Sequence, residues 1–175
     1  MKRIRTSRTR TGKWHEVEGG VTAPQGYLAS GVAAGIKEKG LDLAVVFSSQ
    51  PASAAGVFTL NQVQAAPVLL SKENLKISRG RARGVLINSG CANACTGERG
   101  MHDATLSVQC LASHLNVDPS QILVASTGVI GSFLPMPKFL KGIATAVSAL
   151  NSKGVTRHPA YATLGLRDST VTHSV

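Results

Sequence analysis

The sequence predicts an α/β domain, because apolar runs typical of buried strands alternate with stretches whose apolar residues recur at helical spacing. Its 175 residues are 43% hydrophobic and only 16% charged, which is enough apolar material for one domain with a substantial core. Aromatic residues make up only 4%, so we expect a core of Ala, Val, Leu and Ile. The 18 glycines indicate many tight turns and close backbone approaches.

The predicted strands are short apolar runs bounded by turn residues. In chain order they are Leu41 to Ser48, Ala54 to Thr59, Pro67 to Leu70, Arg83 to Gly90 and Ile122 to Ser126. The stretch between Trp14 and Gly40 contains paired glycines, a proline and many small residues. Such a composition predicts turns and irregular backbone there.

Two helices are predicted from apolar residues that share one face. Asp103 is a candidate N-cap for a helix that runs to about Leu115 and ends in a turn at residues 116–120. Phe139 to Leu150 repeats apolar residues at helical spacing, with Pro137 acceptable near the first turn. A strand, helix, strand unit is therefore expected between Arg83 and Ser126.

Charge and composition divide the chain into three parts. Residues 1–15 form a basic arm that we expect to be flexible, residues 16–153 form the domain, and residues 154–175 form a divergent tail without apolar periodicity. The net charge is +10, but six of the 19 basic residues precede the first acid, so the body is only mildly basic. The arm lacks aromatic residues for base stacking, so we predict neither a nucleic-acid nor a membrane partner, with nucleic-acid binding and an organelle transit peptide as the alternatives.

The three cysteines are expected to be free, because the sequence predicts a cytoplasmic protein. It holds no apolar run long enough to span a membrane and no apolar signal core after the basic arm. In a reducing compartment Cys91, Cys95 and Cys110 would stay unbridged.

Cysteines and histidines cluster between Cys91 and His114, which raises two chemical possibilities. A zinc site is conceivable, because Cys110 and His114 share a helix face, but the CxxxC spacing is wrong for a knuckle. Packing of Cys110 as a small hydrophobe and solvated histidines are the simpler interpretation. The second possibility is a thiol nucleophile, Cys95 with His102 or His15 as its base, although such pairs occur by chance in most chains. No phosphate loop is present, and we predict neither metal nor cofactor.

Two glycine-centred turns follow predicted strands, and ligands gather at such strand ends. They read INSGCANACTGERG and VASTGVIG. Glycine lets the backbone turn and leaves neighbouring N–H groups open to a ligand, and Thr127 adds a hydroxyl beside Gly128. Both turns are either plain connections or a cradle for a negatively charged oxygen.

Four ordered stretches then carry a resemblance: GGVTAPQGYLASGVAAGIK, PASAAGVFTLNQVQAAPV, INSGCANACTGERG and ILVASTGVIGSFLPM. Together they resemble the N-terminal half of the ornithine acetyltransferase family, also called glutamate N-acetyltransferase, over Val17 to Leu150. Cys91 departs from the asparagine more frequent in that family. The resemblance implies layered sheets with outer helices, of which this chain holds an incomplete domain. It also implies an arginine-biosynthesis enzyme that moves acetyl from N2-acetylornithine to glutamate, with acetyl-CoA as a donor in some members.

The same resemblance assigns an oxyanion hole to Thr127 and Gly128. In the family a precursor cuts itself before a threonine, which becomes the nucleophile at the start of a β chain, so a hetero-oligomer is implied. No counterpart of that threonine is found here, since Thr163 lacks the expected flanking residues. We therefore expect an α-chain portion that transfers no acetyl by itself, whether it is a natural α chain, a truncation or a frameshift. An inactive remnant and a basic binding module are the alternatives.

Overall fold

The computed structural model describes residues 20–152 together with the backbone of two short strands that precede them. Those strands, β1 (Arg8–Thr9) and β2 (Gly12–Lys13), pair with each other in antiparallel fashion. The remaining residues of the predicted arm and the predicted tail lie outside the described residues.

Residues 20–152 form one four-stranded sheet and three α-helices, which confirms the predicted α/β class. The strands are β3 (Tyr27–Val32), β4 (Leu43–Ser53), β5 (Arg81–Cys91) and β6 (Ile122–Val129). The α-helices are α1 (Ala66–Ile77), α2 (Gly97–Leu115) and α3 (Met136–Ser148), and 3₁₀ turns cover Gly20–Thr22 and Pro119–Gln121. None of the helices described is both long and apolar enough to cross a membrane.

The sheet has the strand order β3, β4, β5, β6, with only the β5 and β6 pair parallel. α2 connects these two strands, so the predicted strand, helix, strand unit is confirmed. The helices pack on one face of the sheet, where Leu43, Leu86 and Ile122 are fully buried against Leu111 and Phe139. On the opposite face the larger aliphatic side chains are only half-buried, namely Val46, Val85, Ile87 and Leu123, whereas the small Ala29 and Ala44 are fully buried.

Two of the five predicted strands are not strands, and one strand was missed. β3 lies in the stretch predicted to be irregular. The sequence did not indicate a strand there, because Ala29, Ser30 and Gly31 lack the bulky side chains typical of strands. Pairing with β4 nevertheless buries or half-buries these residues. Residues 54–59 are irregular instead of a strand, since β4 itself continues to Ser53 after a register shift. Pro67 to Leu70 belongs to α1, where the proline occupies a first-turn position that needs no N–H donor.

Asp103 does not cap α2, which begins six residues earlier in the chain at Gly97. Thr96 holds the N-cap position, and Asp103 lies inside the helix with only 5% of its surface exposed. Two glycines in the first turns hid this start, because glycine is a poor helix former. Gly100 is required there by packing, since a Cβ would lie 2.5 Å from Asn93 Oδ1 and even closer to Thr96.

The edge of β6 is closed by polar side chains of α1. Ser71 Oγ donates to the Val124 carbonyl at 2.8 Å and accepts from the Val124 N–H at 2.9 Å. One turn later, Asn74 Nδ2 donates to the Ile122 carbonyl at 2.7 Å. These bonds satisfy backbone groups that an edge strand would otherwise leave unpaired.

We expect Ser71→Ala to destabilise the chain by about 1–3 kcal/mol, because it leaves a buried N–H and a buried C=O without partners. The free energy of unfolding in urea measures this loss. Ser148→Ala is the matched control, since Ser148 is exposed and its hydroxyl bonds only the preceding helical turn. Equal losses for the two variants would contradict the role assigned to Ser71.

Candidate functional site

The two predicted glycine-centred turns lie side by side at the carboxyl ends of β5 and β6. β6 does not end at Ser126 as predicted but continues to Val129, so that Gly90 pairs with Gly128 and Cys91 with Val129. Beyond the strands, Ala92 N–H donates to the Val129 carbonyl at 3.0 Å. The two segments therefore form one continuous surface.

Position 128 requires glycine for two separate reasons. Its φ is +134°, a backbone conformation that residues with a side chain rarely adopt. In addition, a Cβ would lie 2.5 Å from Cys91 N and 2.6 Å from the Gly90 carbonyl oxygen. Backbone atoms in a paired strand cannot move aside, so β5 and β6 approach this closely only because position 128 carries no side chain.

Thr127 and Gly128 offer polar groups at this strand end. Thr127 is half-buried and Gly128 is exposed. Within the described part of the chain the Thr127 hydroxyl has no hydrogen-bond partner. The Val129 carbonyl faces β5, whereas both backbone groups of Val124 face α1. Strand alternation then turns the Gly128 N–H away from β5, toward the edge on which α1 lies.

Asn88, which sequence reasoning missed, holds the turn after β5. It is 1% exposed, and its Nδ2 donates to the Cys91 carbonyl at 2.8 Å. The Oδ1 atom of Asn88 has no hydrogen-bond partner among residues 20–152. The same is true of the Oγ atom of Ser126, which lies opposite Asn88 in the ladder between β5 and β6. An asparagine inside the apolar run VLINSG was the available signal, because alternation places it on the buried face beside Leu86.

The loop between β3 and β4 reaches the same strand ends. The fully buried Asp42 carboxylate accepts backbone N–H bonds from Ala34 and Ile36, both at 2.6 Å, and from Lys37 at 2.9 Å. A Cβ at Gly90 would lie 2.8 Å from Cγ of Lys37, so this loop packs directly on β5. No local sequence pattern predicts the contact between this loop and β5, because the two segments are far apart in the chain.

The cysteines and histidines do not assemble into a site. Cys91 is buried, Cys95 is exposed, and none of the three cysteines is bridged. Cys110 packs against the core, as the simpler interpretation predicted, and burial raises the pKa of its thiol. His102 is 73% exposed and contacts Asp103. Across residues 20–152 no three potential ligands are placed to hold a metal ion, and His15 lies outside the described residues.

Two cavities open elsewhere on the chain. One of about 790 Å³ lies between residues 60–64 and the first turn of α2, and one of about 240 Å³ lies on the half-exposed sheet face beside Tyr27 and Arg83. Neither Thr127 nor Gly128 lines either cavity. The described residues thus place these two groups at an open edge rather than inside an enclosed pocket.

A protein-family model, the ArgJ family, matches residues 28–171. The chain belongs to the ArgJ family. Its relatives include the arginine biosynthesis bifunctional proteins ArgJ of Parasynechococcus marenigrum, 51% identical over 142 residues, and of Caldanaerobacter subterraneus, 47% identical over 138 residues. The matches cover 81% and 79% of this chain but only 35% and 34% of those proteins. The chain therefore spans about a third of the length of these ArgJ relatives.

Solved structures agree with this assignment. The crystal structure of ornithine acetyltransferase from Mycobacterium tuberculosis in complex with ornithine matches with a TM-score of 0.75 and 47% identity, over 78% of this chain and 74% of that one. The argJ protein from Bacillus halodurans matches with a TM-score of 0.71 and 39% identity, over 78% of this chain and 71% of that one. The predicted resemblance and the predicted incomplete α/β fold are both confirmed.

We expect Gly128→Ala to be clearly more destabilising than Gly131→Ala. Both positions have positive φ, so each alanine costs about 1–2 kcal/mol of backbone strain, but a Cβ at Gly131 meets no atom within 4 Å. At Gly128 the contact with the Gly90 and Cys91 backbone adds to that strain. Urea unfolding of both variants measures the difference, and indistinguishable midpoints would show that β5 and β6 are not in tight contact here.

Proposed function

We propose that this chain is the α-chain portion of an acetyltransferase of arginine biosynthesis, which transfers acetyl from N2-acetylornithine to glutamate in the cytoplasm. Membership of the ArgJ family and the names of the relatives support this reaction. The observation that carries the proposal is the strand end at Gly128, where a free hydroxyl and an outward amide adjoin a turn that only glycine fits. The nucleophile belongs to a partner β chain.

In the proposed mechanism Thr127 and Gly128 form the oxyanion hole. The β chain's N-terminal threonine attacks the acetyl carbonyl, its α-amine takes the hydroxyl proton, and the carbonyl oxygen becomes negative. That oxygen accepts hydrogen bonds from the Gly128 N–H and the Thr127 hydroxyl. Collapse of the intermediate breaks the C–N bond and returns the proton to the leaving amine of ornithine. The glutamate amine then attacks the acetyl ester and regenerates the threonine as acetylglutamate leaves.

The exposed apolar surface supports a hetero-oligomer. Helices cover one face of the sheet, while Val46, Val85, Ile87 and Leu123 stay half-exposed on the other. Apolar surface of this kind is favourable to bury against another chain. The β chain that supplies the threonine is the partner that we propose for this face.

The proposal is tested by mixing the chain with a matching β chain and measuring acetylglutamate formation. N2-acetylornithine is the donor in one assay and acetyl-CoA in a second. We expect activity only in the mixture, and Thr127→Ala should lower kcat about 100- to 1,000-fold, because it removes one oxyanion donor. Thr145→Ala is the control, since Thr145 is exposed on α3.

Acetyl transfer by the chain alone would contradict the assignment of the nucleophile to a partner. Equal activity of the Thr127→Ala and Thr145→Ala complexes would contradict the oxyanion hole. A folded mixture without activity toward either donor would favour the alternative of an inactive remnant.

A further inference from the structure

Lys37 is held in place by its backbone next to the strand ends described above. The Asp42 carboxylate, 0% exposed, accepts N–H bonds from the two consecutive residues Ile36 and Lys37 with one oxygen and from Ala34 with the other. Hydrogen bonds to an ionised acceptor are shorter and stronger than neutral ones. Three of them on one carboxylate fix the loop, so the position of the Lys37 backbone is set by the fold.

The Lys37 side chain runs over Gly90. A Cβ at Gly90 would lie 2.8 Å from Lys37 Cγ and 3.1 Å from Ile36 Cγ2, so the missing side chain makes room for the lysine stem. Gly90 pairs in register with Gly128 on the neighbouring strand. The stem therefore lies one strand away from the proposed oxyanion hole, and the ammonium lies two methylenes further along the side chain.

The charge of Lys37 has no counter-ion within residues 20–152. The ion pairs of that region join Arg99 and His102 to Asp103, and no hydrogen bond from the Lys37 ammonium is present. Its acidic neighbour Glu38 is exposed and unpaired as well. A half-buried lysine with a packed stem and an unpaired ammonium is a ready partner for an anionic ligand.

We propose that the Lys37 ammonium binds the α-carboxylate that both substrates of the proposed reaction share. In N2-acetylornithine and in glutamate the reacting nitrogen and the carboxylate are attached to the same carbon atom. A cation near the oxyanion hole is therefore within reach of that carboxylate in both half-reactions. This inference rests on the proposed function and adds to it a group that orients the substrate.

The test compares Lys37→Met with Lys39→Met in the complex of this chain with its β chain. Methionine keeps a long apolar stem over Gly90 and removes only the charge, and Lys39 is an exposed lysine of the same loop. Because a hydrogen bond to a charged group contributes about 1.5–3 kcal/mol, KM for both substrates should rise roughly 10- to 100-fold in Lys37→Met. We expect kcat to change far less, and Lys37→Arg to restore much of the affinity.

The α-amide of glutamate, used as a substrate, distinguishes loss of carboxylate binding from a structural effect of the Lys37→Met substitution. It lacks the negative carboxylate, so the unmodified complex and Lys37→Met should use it equally poorly. Unchanged KM values in an otherwise active Lys37→Met complex would overturn the inference and leave the proposed function standing. If the unmodified complex is inactive, calorimetric titration with glutamate decides instead: weaker binding to Lys37→Met than to Lys39→Met supports the inference, and equal or absent binding overturns it.

Discussion

The close backbone contact between β5 and β6 at Gly90 and Gly128 is the constraint on which this structure depends. No Cβ fits at Gly128, because Gly90 and Cys91 already occupy that space with backbone atoms. The parallel ladder can therefore extend past Ser126 to Val129, which carries Thr127 to an exposed strand end. A side chain at Gly128 would separate the strands at the point where their ends form one surface, whereas a side chain at Gly90 would displace Ile36 and Lys37 of the β3 to β4 loop.

Buried polar side chains around these strands mostly serve the backbone. Asp42 binds three N–H groups of the β3 to β4 loop, Asn88 binds the carbonyl of Cys91, and Ser71 binds both backbone groups of Val124. Each contact replaces a hydrogen bond that water would otherwise make. Helix α1 thereby satisfies the β6 edge as far as Val124 and leaves the part of the edge beyond it, at Gly128, open to a ligand.

The sequence predicted those elements whose own residues determine them. β5 and α3 were predicted correctly, because long apolar runs and helical spacing need no outside information. Thr127 and Gly128 were selected as candidates because polar and flexible residues follow a buried strand, and their role stays a prediction. β3 was missed because its small residues become a strand only through pairing with β4. Lys37 was missed for a similar reason, because its contact with Gly90 joins two segments that the sequence does not place together. Asn88 was missed although its bond to Cys91 is local, because an asparagine within an apolar run was not taken as a signal.

The open position of the Thr127 and Gly128 groups limits what they would contribute as oxyanion donors in the proposed enzyme before a partner covers them. An oxyanion at an exposed edge is already hydrated, so two protein donors add little, whereas the same donors in a site without water are strong because the local dielectric is low. The partner chain of the proposed enzyme would therefore do two things when it covers this edge. It would bring the threonine, and by excluding water it would strengthen the hydrogen bonds that we propose for Thr127 and Gly128 and the contact that we propose for the Lys37 ammonium.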